Sequence, residues 1–396
     1  MITFDSLQKG TFILLSVMLL AYCAVSPRTL PVVEYNKRFK ENLGTTALVL
    51  IAPILTSIAV FDAKENDINT FISTFYTAFT VGYLLCFLLE IFATTILRLL
   101  VFSAWEPAIF QLTPTVPSII LPWVLRENKY RPKRITLFAA DFVTSCLASP
   151  IIEEYMKFKL VQWSVRLPRN FQWTKSKSIN KKDKKGNKKK QKKPRREMVP
   201  RLPGEDEVTN INSYVTHMLA ASLGLKLCDS VRRIMMYTKR KDSNKQFYAV
   251  LRGIFPVHEL CGAMTALEWA KRDVLGVDLP MWRILAPAVI IHGMANFRGM
   301  KPIFKLNSST PWSEMQLNPW NMEDNSTFKQ LMSQGLSKLI WFSILFRVLG
   351  YCIKNYYMIS RKAVKRATTF AGKQAAFSAE LAAADMLKKT KKEKTK

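Results

Sequence analysis

Apolar residues in this chain do not alternate with polar ones at short intervals. They gather in long blocks, at about 11–25, 45–61, 71–102, 135–163, 212–237, 247–270, 282–297 and 336–353. A helix needs roughly 17–25 apolar residues to cross the hydrocarbon core of a bilayer. The blocks lack the period-2 alternation of barrel strands, and only helices or closed barrels satisfy their backbone in lipid. The pattern therefore predicts an all-α fold, a polytopic transmembrane helix bundle of about eight to nine spans. A Pro-broken apolar stretch at 114–125 is too short to span alone and is expected to be re-entrant or part of a kinked span. The first block follows a weakly basic segment, and Ala21 and Ala24 make a poor cleavage site. A retained signal anchor is expected there.

Charge sharpens this picture because it is as segregated as hydrophobicity. The 396 residues are 49% hydrophobic, yet the formal net charge is +30. Residues 175–196 hold 13 Lys and Arg against the single Asp183. Residues 361–396 hold 11 basic against three acidic side chains. These two stretches supply two-thirds of the excess. Polybasic segments beside spans mark the cytosolic side and attract anionic lipid headgroups. Neither stretch has aromatic residues spaced for base stacking, so no nucleic-acid partner is expected. The six cysteines all lie in apolar blocks and form no CxxC pair, which excludes a disulfide framework and a zinc module.

Orientation follows for the second half. Four spans separate the basic loop from the basic tail, so both can face the cytosol. The link before the last span is then lumenal, and it carries the glycosylation sequons Asn307-Ser-Ser and Asn325-Ser-Thr. In the first half, Lys37, Arg38, Lys40 and the basic residues of 126–134 prefer the cytosol. A count of eight puts both groups on the wrong side, so eight and nine spans both stand. The expected divisions are transmembrane segments over 1–134, a core over 135–299 interrupted by a basic cytosolic loop at 165–210, a lumenal link at 300–335, a final span at 336–358 and a basic cytosolic tail at 359–396. Residues 370–387 have the pattern of an amphipathic surface helix.

Ionisable side chains inside spans are costly and mark candidate function. The block at 71–102 contains Glu90. The block at 135–163 contains Ser149-Pro150, then Glu153-Glu154-Tyr-Met-Lys157. Glu153 and Lys157 share a helix face at i,i+4, and Glu154 points about 100° away. Paired carboxylates in a low-dielectric site repel, an arrangement that suits one of them to general acid or base work. The alternative is an interfacial helix end whose Glu and Lys snorkel to headgroups. Further on come Arg252-Gly-Ile-Phe-Pro-Val-His258 and His292-Gly-Met-Ala-Asn296. Gly262 and Ala266 follow His258 on one face and admit a close helix neighbour. His292 and Asn296 lie side by side, with Pro287 just before them. The three histidines, His217 included, all fall in apolar blocks. Asp229, flanked by Lys226, Arg232 and Arg233, reads either as a site carboxylate or as an ion pair at a span end.

Glu-Glu-x-x-Lys on one span, Arg-x5-His on a later one and His-x-x-x-Asn on the next resemble the PrsW-type proteases. These belong to a clan of glutamate-dependent intramembrane proteases that includes the CPBP proteins and the CAAX prenyl endopeptidases. The resemblance covers residues 135–297, and Ser149-Pro150 is similar to the lead-in common there. Where the family carries a Glu on the span between the first motif and the Arg/His motif, this chain offers Asp229. The resemblance implies hydrolysis of a membrane-embedded protein substrate. Glu153 or Glu154 activates a water held with His258 or His292, Asn296 stabilises the oxyanion, and Lys157 tunes the carboxylates. Arg252 carries over as a supporting residue. Two histidines and a Glu can also bind zinc. There is no HExxH motif, however, and on the resemblance metal-free catalysis without a cofactor ranks ahead.

Two other readings compete. Buried Glu, His and Lys can line the path of an ion- or proton-coupled transporter or channel, although the chain shows none of the internal symmetry such folds carry. A catalytically inactive relative retained for interaction is the other. The last residues, Lys392-Glu-Lys394-Thr-Lys396, resemble a K-x-K-x-x retrieval signal on a cytosolic tail. With the sequons, this places the expected location in the endoplasmic reticulum membrane.

Overall fold

The computed structural model describes residues 4–25, 32–62, 66–105, 134–175, 196–200, 211–239, 255–298 and 339–369. The sequons at Asn307 and Asn325, Arg252, the stretch at 114–125, the Lys-rich run and the tail beyond 369 lie outside them.

The architecture is all-α. Helices α1 (Phe4–Val25), α2 (Val32–Val60) and α3 (Ile68–Thr77) are followed by a π-helical turn, Ala78–Gly82, that runs straight into α4 (Tyr83–Trp105). Then come α5 (Arg134–Asp141), a second π turn (Phe142–Ala148) and α6 (Ser149–Ser164). Helices α7 (Asn212–Lys239), α8 (Val257–Leu275), α9 (Met281–Arg298) and α10 (residues 339–369) complete the helices among the described residues. Where they are described, the expected blocks are largely helical, with π turns inside 71–102 and 135–163, and the charged flanks are helical too. Helix α2 starts well before residue 45, and α10 continues through Lys354, Arg361 and Lys365. Hydropathy marks where lipid is tolerated; backbone hydrogen bonding carries the helix beyond it.

One element has no counterpart in the sequence reading. Strands β1 (Phe171–Lys175) and β2 (Arg196–Pro200) pair antiparallel, with Phe171 opposite Pro200 and Lys175 opposite Arg196. The two ends of the Lys-rich run are thus held together.

Among the described residues, two helical stretches are long and apolar enough to cross a membrane, Val32–Val60 and the continuous Ile68–Trp105. Only 13% and 6% of their apolar windows are buried, unlike the core helix of a soluble protein. On α4 the exposed residues Leu84, Leu88, Phe92, Ile96 and Leu100 recur every fourth position and form one outward apolar stripe.

The chain divides into two compact units. In the larger one, 1–167, 212–266 and 280–352, α7 is the central helix. Tyr214, Met218, Ala220, Ala221 and Leu223 have no exposed surface. Helices α1, α2 and α3 pack on α7, where Val17, Val49, Phe79, Leu227 and Val231 form a core cluster. In the smaller unit, 168–211, 267–279 and 353–396, the end of α8 meets the strand ribbon. Asn170 donates its backbone N–H to Asp273 O at 2.9 Å and its side-chain amide to Val274 O at 3.3 Å. Gly276 closes α8 at φ +74°, where any Cβ would collide with the Phe171 ring.

Candidate active site

The second π turn sets the geometry of the site. The Ser149 N–H reaches back to Thr144 O, one residue further than in an α-helix. In the same register the carbonyl of Ser145 would be served by residue 150, which is proline and has no N–H. Asn296 of α9 fills that vacancy: its amide Nδ2 donates to Ser145 O at 2.8 Å. One turn earlier on α9, Gly293 rests against the Cys146 carbonyl, where any Cβ would clash with the oxygen. Pro150, Asn296 and Gly293 thus fasten α9 to the start of α6. On the far side, Gly262 of α8 lies against Ser222 and Met218 of α7, a contact that also admits no Cβ without a shift.

This packing brings α6, α8 and α9 together around five side chains. Glu154 and Lys157 are both fully buried and joined at 2.6 Å. The expected Glu153–Lys157 face is therefore not the one used. A buried ammonium requires a partner in reach, and the carboxylate that turns inward is Glu154. The same Glu154 Oε1 lies 2.9 Å from His292 Nδ1. A carboxylate only accepts, so Nδ1 carries the proton in that contact and Nε2 presents its lone pair. His292 Nε2 is buried without a hydrogen-bond partner and faces Glu153 Oε2 at 3.6 Å. His258 Nδ1 is also 3.6 Å from Glu153 Oε2. The two imidazoles meet edge to face, with centroids 4.8 Å apart.

Two further groups anchor the cluster. Ser149 donates its hydroxyl to Glu90 Oε1 at 2.6 Å and lies 3.2 Å from Glu153 Oε1. The hydroxyl has one proton, so it serves one carboxylate at a time. Lys226 of α7 holds Glu259 Oε1 at 2.5 Å and Phe255 O at 2.9 Å, on either side of His258 in sequence. Neither Glu90 nor Lys226 was assigned to the site from sequence. Glu90 carried a usable signal, a lone carboxylate within a long apolar helix. Lys226 carried the same kind of signal, a cation within an apolar block, but its partner is 33 residues away.

Of the sequence candidates, Glu153, Glu154, Lys157, His258 and His292 come together. Asn296 sits beside them with its amide engaged by Ser145. Asp229 pairs with Arg232 on its own helix, at 2.9 Å, and that guanidinium lies over the Tyr83 and Phe87 rings. His217 is buried on α7. An apolar cavity of about 390 Å³, lined by residues that include Met264, Pro287 and Arg347, shares none of the cluster's side chains.

Glu153, His258 and His292 each offer one ligand atom, and these three atoms lie within 4.8 Å of one another. Glu153 retains 18% exposure of its side chain, against 1% for His292 and none for Glu154. The cluster therefore opens on the Glu153 side. Comparison with protein-family models, curated proteins and solved structures finds no match.

Proposed function

We propose that this chain is a polytopic membrane protein of about eight to nine spans that hydrolyses peptide bonds of a membrane-embedded protein substrate. The supporting observation is the meeting of Glu153, Glu154, His258 and His292, from three helices, in one buried group. Four ionisable groups in an apolar interior are expensive to assemble and are a mark of function. The outward stripe of α4 supports the membrane setting.

The geometry gives the two carboxylates different parts. Glu153 Oε2, 3.6 Å from both imidazoles, faces the space where a water would sit. Glu154 lies behind His292, fixes its tautomer and is neutralised by Lys157, which makes it a positioning residue. In this conformation the Asn296 amide serves the Ser145 carbonyl, so its contribution is to hold α9 in place. The reaction class is attack of an activated water on a carbonyl, with a carboxylate–imidazole group accepting the proton. The endoplasmic reticulum location, cytosolic loop and tail, and attraction to anionic headgroups belong to the same proposal and rest on the sequons and the basic segments.

A second reading, a proton-coupled transporter, draws on the Glu90–Ser149–Glu153 chain, which links a long apolar helix to the cluster. Glu154→Gln and His292→Ala, assayed for cleavage of a membrane substrate and for ion flux, separate the two. Loss of cleavage in both variants supports hydrolysis. Unchanged processing in both refutes it, and loss of flux with no cleavage found selects the transporter.

A further inference from the structure

Helix α10 buries one stripe, Trp341, Leu345, Val348 and Cys352, and leaves Phe346 and Leu349 exposed beside it. Phe342 meets Phe255, just before α8, with ring centroids 5.3 Å apart. Past that contact lies the apolar cavity of about 390 Å³. Met264 of α8, Pro287 of α9 and Ile344, Arg347, Val348 and Tyr351 of α10 line it. Pro287 places a short ring where a longer side chain would fill the gap, and it interrupts the hydrogen-bond ladder of α9.

Arg347 is exposed, although it lies within the apolar block of α10. Among the described residues, no acidic side chain pairs with it. A guanidinium keeps its charge at every working pH, and an unpaired one at membrane depth is costly. Its methylene stem suits an apolar wall, while its head needs an anion or water. The apolar block ends at Ile353, six residues on and about 9 Å along the helix. That is within reach of a side chain that snorkels toward the headgroups. Tyr351 follows at i+4 on the same helix face. Tyrosine suits that level, with its ring in hydrocarbon and its hydroxyl near the headgroups.

We infer that this groove binds one acyl chain of an anionic phospholipid from the leaflet on the tail side, with its phosphate held by Arg347. Charge selects the head: an unpaired cation favours a net anionic lipid over a zwitterionic one, and guanidinium matches phosphate geometry. Size selects the chain. One turn of helix, about 10 Å wide and about 5.4 Å in pitch, occupies about 420 Å³. That exceeds the whole cavity, so the groove takes a hydrocarbon chain and not the helix of a partner. The inference rests on the membrane setting proposed above and is independent of the hydrolysis.

The test places the full chain in phosphatidylcholine nanodiscs. They contain a trace of phosphatidylserine or phosphatidylcholine that bears a diazirine midway along one acyl chain. Irradiation is followed by peptide mass spectrometry. The expected result is labelling of the peptides that hold Met264 and Ile344, stronger from phosphatidylserine and competed by unlabelled phosphatidylserine. Arg347→Gln lowers that preference about fivefold, the weight of one basic side chain against an anionic leaflet. Arg347→Lys retains most of it. Ile344→Trp fills the groove and removes the label of both lipids while Arg347 stays. That variant keeps the test decisive if Arg347→Gln fails to fold. Equal labelling by the two lipids, a preference indifferent to Arg347→Gln, or labelling that survives Ile344→Trp overturns the inference. Displacement by a transmembrane peptide carrying aspartate, but not by phosphatidylserine, also overturns it and assigns the groove to a partner helix. Insertion of the chain without groove labelling rejects the lipid site and keeps the membrane setting. Failure to insert rejects both.

Discussion

Glu154 shows how one side chain can be both the costliest and the most useful in the site. It is fully buried, shares one oxygen between Lys157 and His292, and has its other oxygen without a hydrogen bond. Breaking a buried pair leaves an uncompensated charge and costs about 3–5 kcal/mol. Lys157→Met is therefore expected to destabilise the protein by about that amount, and adding Glu154→Gln should recover part of the loss. Thermal unfolding of the two single variants and the double variant checks this; strictly additive losses contradict it. The residue types at the site were legible in the sequence, because a Glu pair and histidines within apolar blocks are conspicuous. Their partnerships were not. Spacing along one helix favoured Glu153 with Lys157, but burial gave Lys157 to Glu154, one position on. Glu90, Ser149 and Lys226 join only through contacts between helices, which no local spacing encodes.

At the scale of elements, close approach between α9 and the second π turn fixes the position of His292. The Cβ of Gly293→Ala would meet the Cys146 backbone carbonyl, which cannot rotate away. A loss of about 1–3 kcal/mol and a fall in activity are expected. Gly44→Ala, on α2 with open space around it, should instead be neutral or stabilising by up to about 1 kcal/mol. Parallel unfolding curves of the two variants make the comparison, and equal effects would contradict the packing account. A second element-level prediction concerns Asp67, the N-cap of α3 outside the apolar stretch. It accepts from the Thr70 hydroxyl at 2.8 Å and from the backbone N–H groups of Asn69 and Thr70. These bonds, led by the Thr70 hydroxyl, hold its carboxyl below the usual value of 3.8. A carboxyl lowered in the folded state stabilises above its unfolded pKa, and this stabilisation fades as pH falls below 3.8 through the lowered value. Asp67→Ala should cost about 0.5–2 kcal/mol at neutral pH, with the difference from wild type shrinking below that range. Unfolding measured against pH tests it, and a difference that persists undiminished at the lowest pH counts against the cap. Helix positions were legible because apolar blocks report them. The second π turn and the strand ribbon were not, since one depends on Pro150 acting with a distant Asn296 and the other pairs segments on opposite sides of a Lys-rich run.

For the whole molecule, hydrophobic surface and charge make one consistent proposal. An apolar stripe faces outward on α4, and the proposal sets the basic segments on the cytosolic side and the two sequons on the lumenal side. Expressed in a eukaryotic secretory pathway, the protein should lose apparent mass stepwise with Asn307→Gln and Asn325→Gln. Absence of any glycan on both would contradict the proposed orientation. The central claim, that the carboxylate–histidine cluster uses water to cut a peptide bond within the membrane, has one most direct measurement. Purified protein reconstituted in liposomes with a transmembrane peptide substrate is incubated in heavy-oxygen water, and the products are weighed by mass spectrometry. The account predicts that one heavy oxygen appears on each new carboxyl terminus and that Glu153→Gln gives no product. Products without the label, or undiminished cleavage by Glu153→Gln, would contradict it.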